Sequence, residues 1–548
     1  MSKVLKYFLL ALVFVFVGLV AGFKIKDSMP RNPSYQIDGG LKKIQKALYF
    51  IENNYVESPN QNELINDAVQ GIMDKLDPHS IYIPPREMST IDEQMEGGFD
   101  GIGIQFNILE DTIYVETPLT GGPSEKLGIM SGDRIIKVDG ETVAGINITN
   151  ADVTKYLKGP KGSKVQVSIL RRGRAELIDF TITRDRIPIN SVDYYYMIND
   201  ETGYISITRF AETTYQEFRA ALGLLKEQGM KSLILDLRNN PGGYMRMACN
   251  ISDEFLGSGK KIVSTEGRTR ESKNEYFATS ALNQFEEGPV IALLDYASAS
   301  ASEIVAGALQ DHDRGLIVGV RSFGKGLVQL QEDFEDGSAI RVVISKYYTP
   351  SGRCIQKDYD KTEEEYDREI LERFESGEIF DESKISFPDS LKYKTSAGRT
   401  VYGGGGIYPD VFVASDTTGG SKYLFDLRTN DIFRRFAVLY VDTHPQMEKV
   451  YTSSKDFVNK FNLSPSILKQ FLDFGEEKGV AFQDKQFKKS ENIIRNQLKA
   501  FLGRRILNED GFYPVLHERD RVLQEAIRLI PVAAHLEESG EFDPELKE

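Results

Sequence analysis

Ser298, Ser300 and Ser302 alternate with alanines at the start of SASASEIVAGALQD, residues 298–311. The run follows an apolar strand-like stretch, PVIALLD, and opens a good helix. A serine at that junction has its hydroxyl beside free backbone N–H groups and the positive end of a helix dipole. Such a place suits a nucleophile whose substrate develops an oxyanion. Plain helix capping is the competing reading. Lys325 stands between two glycines in VRSFGKGLVQLQ, residues 320–331. Gly319 to Lys325 fits the first seven positions of a phosphate-binding loop, but Gly326 replaces the hydroxyl that would hold magnesium. The following LVQLQEDF alternates like a strand, whereas a phosphate loop must open a helix. Nucleotide binding is set aside, and a solvated loop lysine is the plain alternative. In LDLRNNPGG, residues 235–243, a strand ends in a turn with two bare glycine amides. Those amides can donate to an anion at close range, or simply make a turn.

A serine nucleophile needs a base. The chain has five histidines: His79, His312, His444, His517 and His535. His312 is the one near the serine cluster, at the far end of the same predicted helix. Twelve residues at about 1.5 Å each put it roughly 18 Å from Ser300, beyond hydrogen-bond reach. The other four fall in predicted helical flanks. A lysine can serve instead if burial keeps its amine neutral. Lys325, after the apolar GLIVG and beside Phe323, is the best candidate.

These segments need a scaffold. From about 187 to 350, strands and helices alternate. SLILDLR, PVIALLD and GLIVG are short continuous apolar runs, the pattern of strands buried on both faces. TTYQEFRAALGLLKEQG is amphipathic, with Phe218, Ala221, Leu222 and Leu225 on one face. Residues 96–186 are short strands and glycine turns with one capped helix, NITNADVTKYLKG. Residues 27–95 read as helical, with Leu41, Ile44, Leu48 and Ile51 in one stripe. Residues 355–395 carry 13 acidic against 7 basic residues and little apolar content, so an exposed, partly helical insertion is expected. A strand returns in 396–419, and 420–548 reads as helical.

Over 548 residues, 41% hydrophobic and 27% charged content are ordinary globular values. The net charge, 67 − 82 = −15, disfavours nucleic acid as the main partner. Two cysteines, Cys249 and Cys354, cannot build a disulfide framework, although they could pair with each other. Lys3 and Lys6 precede an uncharged run, residues 7–23. Its seventeen residues are at the short end for a membrane span, and Val20-Ala21-Gly22 is tolerable as a cleavage site. An uncleaved anchor within residues 1–26 is favoured over a signal peptide. Either sends the rest of the chain out of the cytoplasm.

LDPHS, a GIGI-led β module, DLRNNPGG, SASASE, FGKGxVQ and GGGIYPDV occur here in the order found in C-terminal processing (tail-specific) serine peptidases. The chain resembles that family over roughly residues 38–415. The resemblance implies an α/β peptidase core of ClpP/crotonase-like strand–helix layers, split as 187–354 and 396–419. It also implies an inserted PDZ domain over 96–186. It assigns the nucleophile to Ser300, the general base to Lys325 and the lysine-orienting role to Gln329. The oxyanion hole would use the amides of Ala301 and Gly243, with Gly242 second. Asp311 matches a family aspartate and suits a structural role. Gly101, Ile102, Gly103 and Ile104 correspond to the PDZ carboxylate-binding loop, with Val153 and Leu157 closing the pocket. Expected partners are protein substrates with free apolar C-termini, the membrane through the N-terminal segment, and a second copy or an adaptor through the helical arms. No metal or cofactor is called for. The expected place is the periplasmic side of the inner membrane. A silent PDZ scaffold, or an apolar-ligand carrier on the same core, is the alternative.

Overall fold

A computed structural model describes residues 39–119, 121–279, 283–359, 363–414 and 418–543. The expected anchor, residues 7–23, lies outside the described residues. Among those described, no helix is long and apolar enough to cross a membrane.

The chain divides into two units at residue 75. In the first, helices span Gly39–Asn54 and Gln61–Met73, the second capped by Asn60. The Leu41, Ile44, Leu48 and Ile51 stripe lies on one helix face as its spacing predicts, yet Leu41 and Ile44 are exposed.

The second unit is built on a six-stranded sheet ordered 192–197, 202–207, 232–236, 290–294, 316–319, 411–412. The first pair is antiparallel and the others are parallel. Alternate residues of its apolar strands feed two cores, as strands buried on both faces must. Leu233, Leu235 and Ala292 pack with helices Thr214–Glu227, Met245–Asp253 and Ala301–Asp311. Ile234, Ile291, Leu293 and Val318 pack against Leu523, Leu529, Val532 and Leu536. The last helices, Arg521–Arg528 and Ile530–Ser539, therefore cover the second face of the central sheet. The preceding helices, from Lys422 to His517, hold a core of their own around Phe433, Phe471 and Leu498.

A second sheet is antiparallel and ordered 81–83, 339–348, 261–267, 274–277, with 327–333 also pairing to 339–348. A register shift falls between Val328 and Gln329. The small β module is a sheet ordered 104–109, 112–118, 134–138, 164–170, 178–183, closed by helix Asn150–Leu157. Strands 98–101 and 185–188 pair antiparallel, so the chain leaves for the module and returns from it side by side.

The acidic stretch is partly helical and exposed along much of its length, as expected, but not throughout. Its helix, Glu363–Ser376, buries Tyr366 and Arg373, and Ile379 is buried just beyond it. Cys249 and Cys354 are both free thiols, so the pairing left open by the sequence is not made.

Candidate active site

Three neighbouring strands of the central sheet, 232–236, 290–294 and 316–319, each deliver one part of the site. After strand 290–294 the chain turns at Asp295, whose carboxylate accepts from Ala297 and Ser298 N–H at 3.0 and 3.1 Å. Ser298 Oγ donates to Leu237 O at 2.8 Å, and Ser302 Oγ to Asn240 O at 3.0 Å. Both flanking serines are fully buried and spent on holding the neighbouring strand-end loop. Ser300, between them, stays partly exposed. Its φ of 54° and ψ of −109° are costly for a residue with a Cβ. The turn is held by Ser300 N–H donating to Glu303 Oε2 at 2.8 Å and by Tyr347 Oη donating to Ser300 O at 3.0 Å.

After strand 232–236 comes the glycine turn. Gly242 sits directly against the serine: an added Cβ would meet Ala299 O and Ser300 Cβ at 2.8 Å each. Its N–H donates to Asn240 Oδ1 at 2.9 Å and is thereby used up. Asn240 is fixed in turn by donating from Nδ2 to Ile207 O at 2.7 Å. Among the described residues, the amides of Gly243 and of Ala301, the first helical residue, make no such bond. A Cβ on Gly243 would strike Phe210 O at 2.3 Å.

After strand 316–319 comes the lysine loop. Lys325 N–H donates to Glu303 Oε2 at 2.9 Å, Gly324 N–H to Oε1 at 2.8 Å, and Ser322 Oγ to Oε1 at 2.5 Å. One carboxyl group thus gathers four donors from the serine turn and the lysine loop. Burial pushes the Glu303 carboxyl up, and its four donors oppose that shift. Lys325 Nζ donates to Gln329 Oε1 at 3.0 Å, four residues on. Burial, then the charge of Arg341, hold the Lys325 ammonium below its ordinary range, against Glu303 and Asp77.

Gln329 follows the register shift in its strand, a bulge that re-aims the side chain. Its Nε2 donates to His79 O at 2.5 Å. The LDPHS motif is the turn that supplies this carbonyl. Asp77 Oδ1 accepts from His79 and Ser80 N–H at 2.9 Å each. His79 therefore lies in a turn beside the lysine, not in a helical flank. Its ring bonds Tyr366 Oη at 2.7 Å. Burial and Lys325 lower its pKa to about 4, so the imidazole is neutral at ordinary pH. His312 is turned away, bonding Lys261 O at 2.6 Å. Asp311 accepts from the fully buried Arg353 at 2.7 Å and from Ser351 N–H at 2.9 Å, an arrangement that fixes the end of its helix.

Sequence reasoning passed over Glu303, His79 and Tyr366. Glu303 had a signal: Ser-x-x-Glu is a capping-box spacing, and its carboxylate does reach back to the Ser300 N–H.

In the β module a small cavity of about 80 Å³ is lined by Gly101, Ile102, Gly103, Ile104, Val153 and Leu157, all six residues expected there, together with Phe99 and Lys158. Lys158 Nζ pairs with Glu93 at 2.5 Å and stands 4.7 Å from the Phe99 ring centre.

A serine on a strained strand-to-helix turn and a desolvated lysine tied to it through one carboxylate fit a serine-type endopeptidase. The comparisons agree. Residues 201–365 match peptidase family S41 and residues 101–182 match the PDZ domain. Residues 23–86 match the N-terminal domain of the activating protease CtpB, and 423–508 a family of unknown function. The carboxy-terminal-processing protease of Bartonella bacilliformis is 34% identical over 353 residues, 64% of this chain and 79% of that one. Carboxy-terminal processing protease CtpA of Bacillus subtilis is 35% identical over 321 residues, 58% of this chain and 67% of that one. A solved photosystem II D1 C-terminal processing protease is 25% identical, with 68% of this chain and 93% of that one covered, at a TM-score of 0.34. The chain belongs to the carboxy-terminal processing proteases of peptidase family S41.

Proposed function

We propose that Ser300 and Lys325 form a catalytic dyad. Neutral Lys325 takes the Ser300 proton as Oγ attacks a peptide carbonyl. The amides of Ala301 and Gly243 then donate to the tetrahedral oxyanion. Gly242 is the weaker candidate, because its N–H is already given to Asn240. The charged Lys325 protonates the leaving amine, and water attacks the acyl-enzyme with Lys325 again as base. Gln329 orients the amine through the 3.0 Å bond from Nζ. The observation that carries this reading is Glu303, whose one carboxylate fixes the backbones of both Ser300 and Lys325.

The PDZ cavity selects substrates with a free, apolar C-terminus. The amides of Gly101 to Ile104 take the carboxylate, and a volume of about 80 Å³ suits a small side chain between Ile102, Ile104, Val153 and Leu157. Lys3 and Lys6 followed by the apolar run 7–23 support export with an anchored N-terminus. Protease shaving of intact spheroplasts tests that placement, since full protection would contradict it.

The dyad is tested on an unfolded protein ending in apolar residues. Ser300→Ala and Lys325→Ala are each expected to lower kcat by about 10⁴-fold or more. Ordinary cleavage by either variant would overturn the assignment.

A further inference from the structure

The dyad reading leaves one question open: what makes Gln329 present its oxygen, and not its nitrogen, to the lysine. A neutral amine has two N–H groups and one lone pair. Gln329 Oε1 can take an N–H and leave the lone pair for the serine hydroxyl. With the amide reversed, Nε2 would donate into the lone pair and consume it. The amide is set by its other end, where Nε2 donates to His79 O. The question therefore moves to the His79 turn.

That turn is gripped from two sides. Asp77 holds its backbone N–H groups. On the other side stands the acidic stretch, whose Tyr366 is the first residue past the segment that matches the peptidase family. Tyr366 Oη bonds His79 Nε2 at 2.7 Å, and the two rings meet edge to face at 5.0 Å. About two turns along the same helix, Arg373 donates to Ser322 O at 2.7 Å and Phe323 O at 3.2 Å, just ahead of Lys325. Arg373 is oriented by Glu369 at 2.6 Å, which also pairs with Lys357 at 3.2 Å. Lys357 Nζ lies 4.2 Å from the Phe323 ring centre and 4.0 Å from that of Tyr366. The helix thus touches the chain on both sides of the lysine. Tyr366 and Arg373 are each only 3% exposed, in a stretch whose composition reads as solvated.

We propose that Tyr366 and Arg373 are positioning residues for Lys325, holding the His79 turn and the Ser322–Phe323 backbone so that Gln329 offers Oε1 to the amine. This rests on the Ser300–Lys325 reading. A purely structural tyrosine would need its ring and not its hydroxyl, so the hydroxyl is the discriminating atom.

Tyr366→Phe in the full chain keeps the ring against His79, Lys357 and Phe323. It is expected to lower kcat about tenfold, the equivalent of one buried hydrogen bond, with KM unchanged. The acid limb of kcat/KM should move to lower pH, because the ammonium form loses its acceptor. The charged groups facing Lys325 are Arg341 from the second sheet, Glu303 from the serine helix and Asp77 from the His79 turn; Lys357 faces His79. All stay in place in this variant. His79→Ala should shift the limb the same way. In a Gln329→Ala background, Tyr366→Phe should change nothing further. The proposal is overturned by a wild-type kcat and acid limb in Tyr366→Phe. It is equally overturned by a full multiplicative loss on top of Gln329→Ala, or by a loss matched by fewer phosphonate-labelled sites. Activity in Ser300→Ala or Lys325→Ala would instead sink the dyad itself.

Discussion

Around Ser300 and Lys325, four donors converge on one fully buried carboxylate, whereas around Ile102 and Leu157 a small cavity is closed mostly by apolar side chains. The first region is a network in which each bond depends on the others. The second is a surface whose contacts add nearly independently. A network fails as a unit and should report in kcat. A surface fails by degrees and should report in KM.

Glu303→Gln is the sharpest way to break the network. It keeps the shape but turns one oxygen into an NH₂ group. With the NH₂ in place of Oε2 two backbone N–H groups then face a donor, and in place of Oε1 one does, since the Ser322 hydroxyl can turn and accept. Each orphaned buried donor costs about 1–3 kcal/mol, so the serine turn and the lysine loop should drift apart. A kcat loss of about 10²–10³-fold with little change in KM is expected, since a misplacement near 1 Å costs that much. Activity within a fewfold of wild type would show that the carboxylate does not join the two loops.

Val153→Phe tests the other region. Val153 is fully buried in the module and lines the cavity. The added ring should fill about 80 Å³ of space meant for a substrate side chain. KM for a protein with an apolar C-terminus should rise about tenfold, the worth of one lost apolar contact. Turnover at saturation should hold. An equal fall in kcat would show that the two regions are coupled, and the comparison above would need redrawing.

The two regions were also unequally legible in the sequence. Ser300, Lys325 and the glycine turn stood out because hydroxyls, a lysine and bare glycines cluster at strand ends, where chemistry is usually placed. The six cavity residues could be named through the resemblance to a PDZ domain: Gly101 to Ile104 from the GIGI segment, Val153 and Leu157 from the capped helix. What held the site together was hidden. The spacing of Glu303 signals a capping box, but not that the same carboxylate also holds the lysine loop. Tyr366 and Arg373 sit in a run so acidic that its composition predicted solvent, and only the fold brings Lys357 and Arg373 onto the one carboxylate of Glu369. Periodicity predicted the last helices but not that Leu523 and Leu536 would close the second face of the central sheet. The exposed Leu41 and Ile44 show the limit of periodicity: it fixes a face, and says nothing of what covers it.

The smallest expected effect tests the electrostatics. Arg341, in the second sheet, lowers the Lys325 pKa by charge repulsion, after burial. The base must be neutral, so kcat/KM should rise with pH through the Lys325 pKa, at a midpoint below the ordinary 10.5. Removing the Arg341 charge stabilises the ammonium form and raises that pKa. Arg341→Gln should therefore move the acid limb to higher pH and lower activity at neutral pH a fewfold, with the high-pH plateau unchanged. The network and the surface separate here too. No cavity residue faces Lys325 as a charge, so Val153→Phe should leave the limb where it is. A limb left in place, or moved to lower pH, in Arg341→Gln would mean that the group whose deprotonation sets it is not one that Arg341 repels, and Lys325 would not be the base.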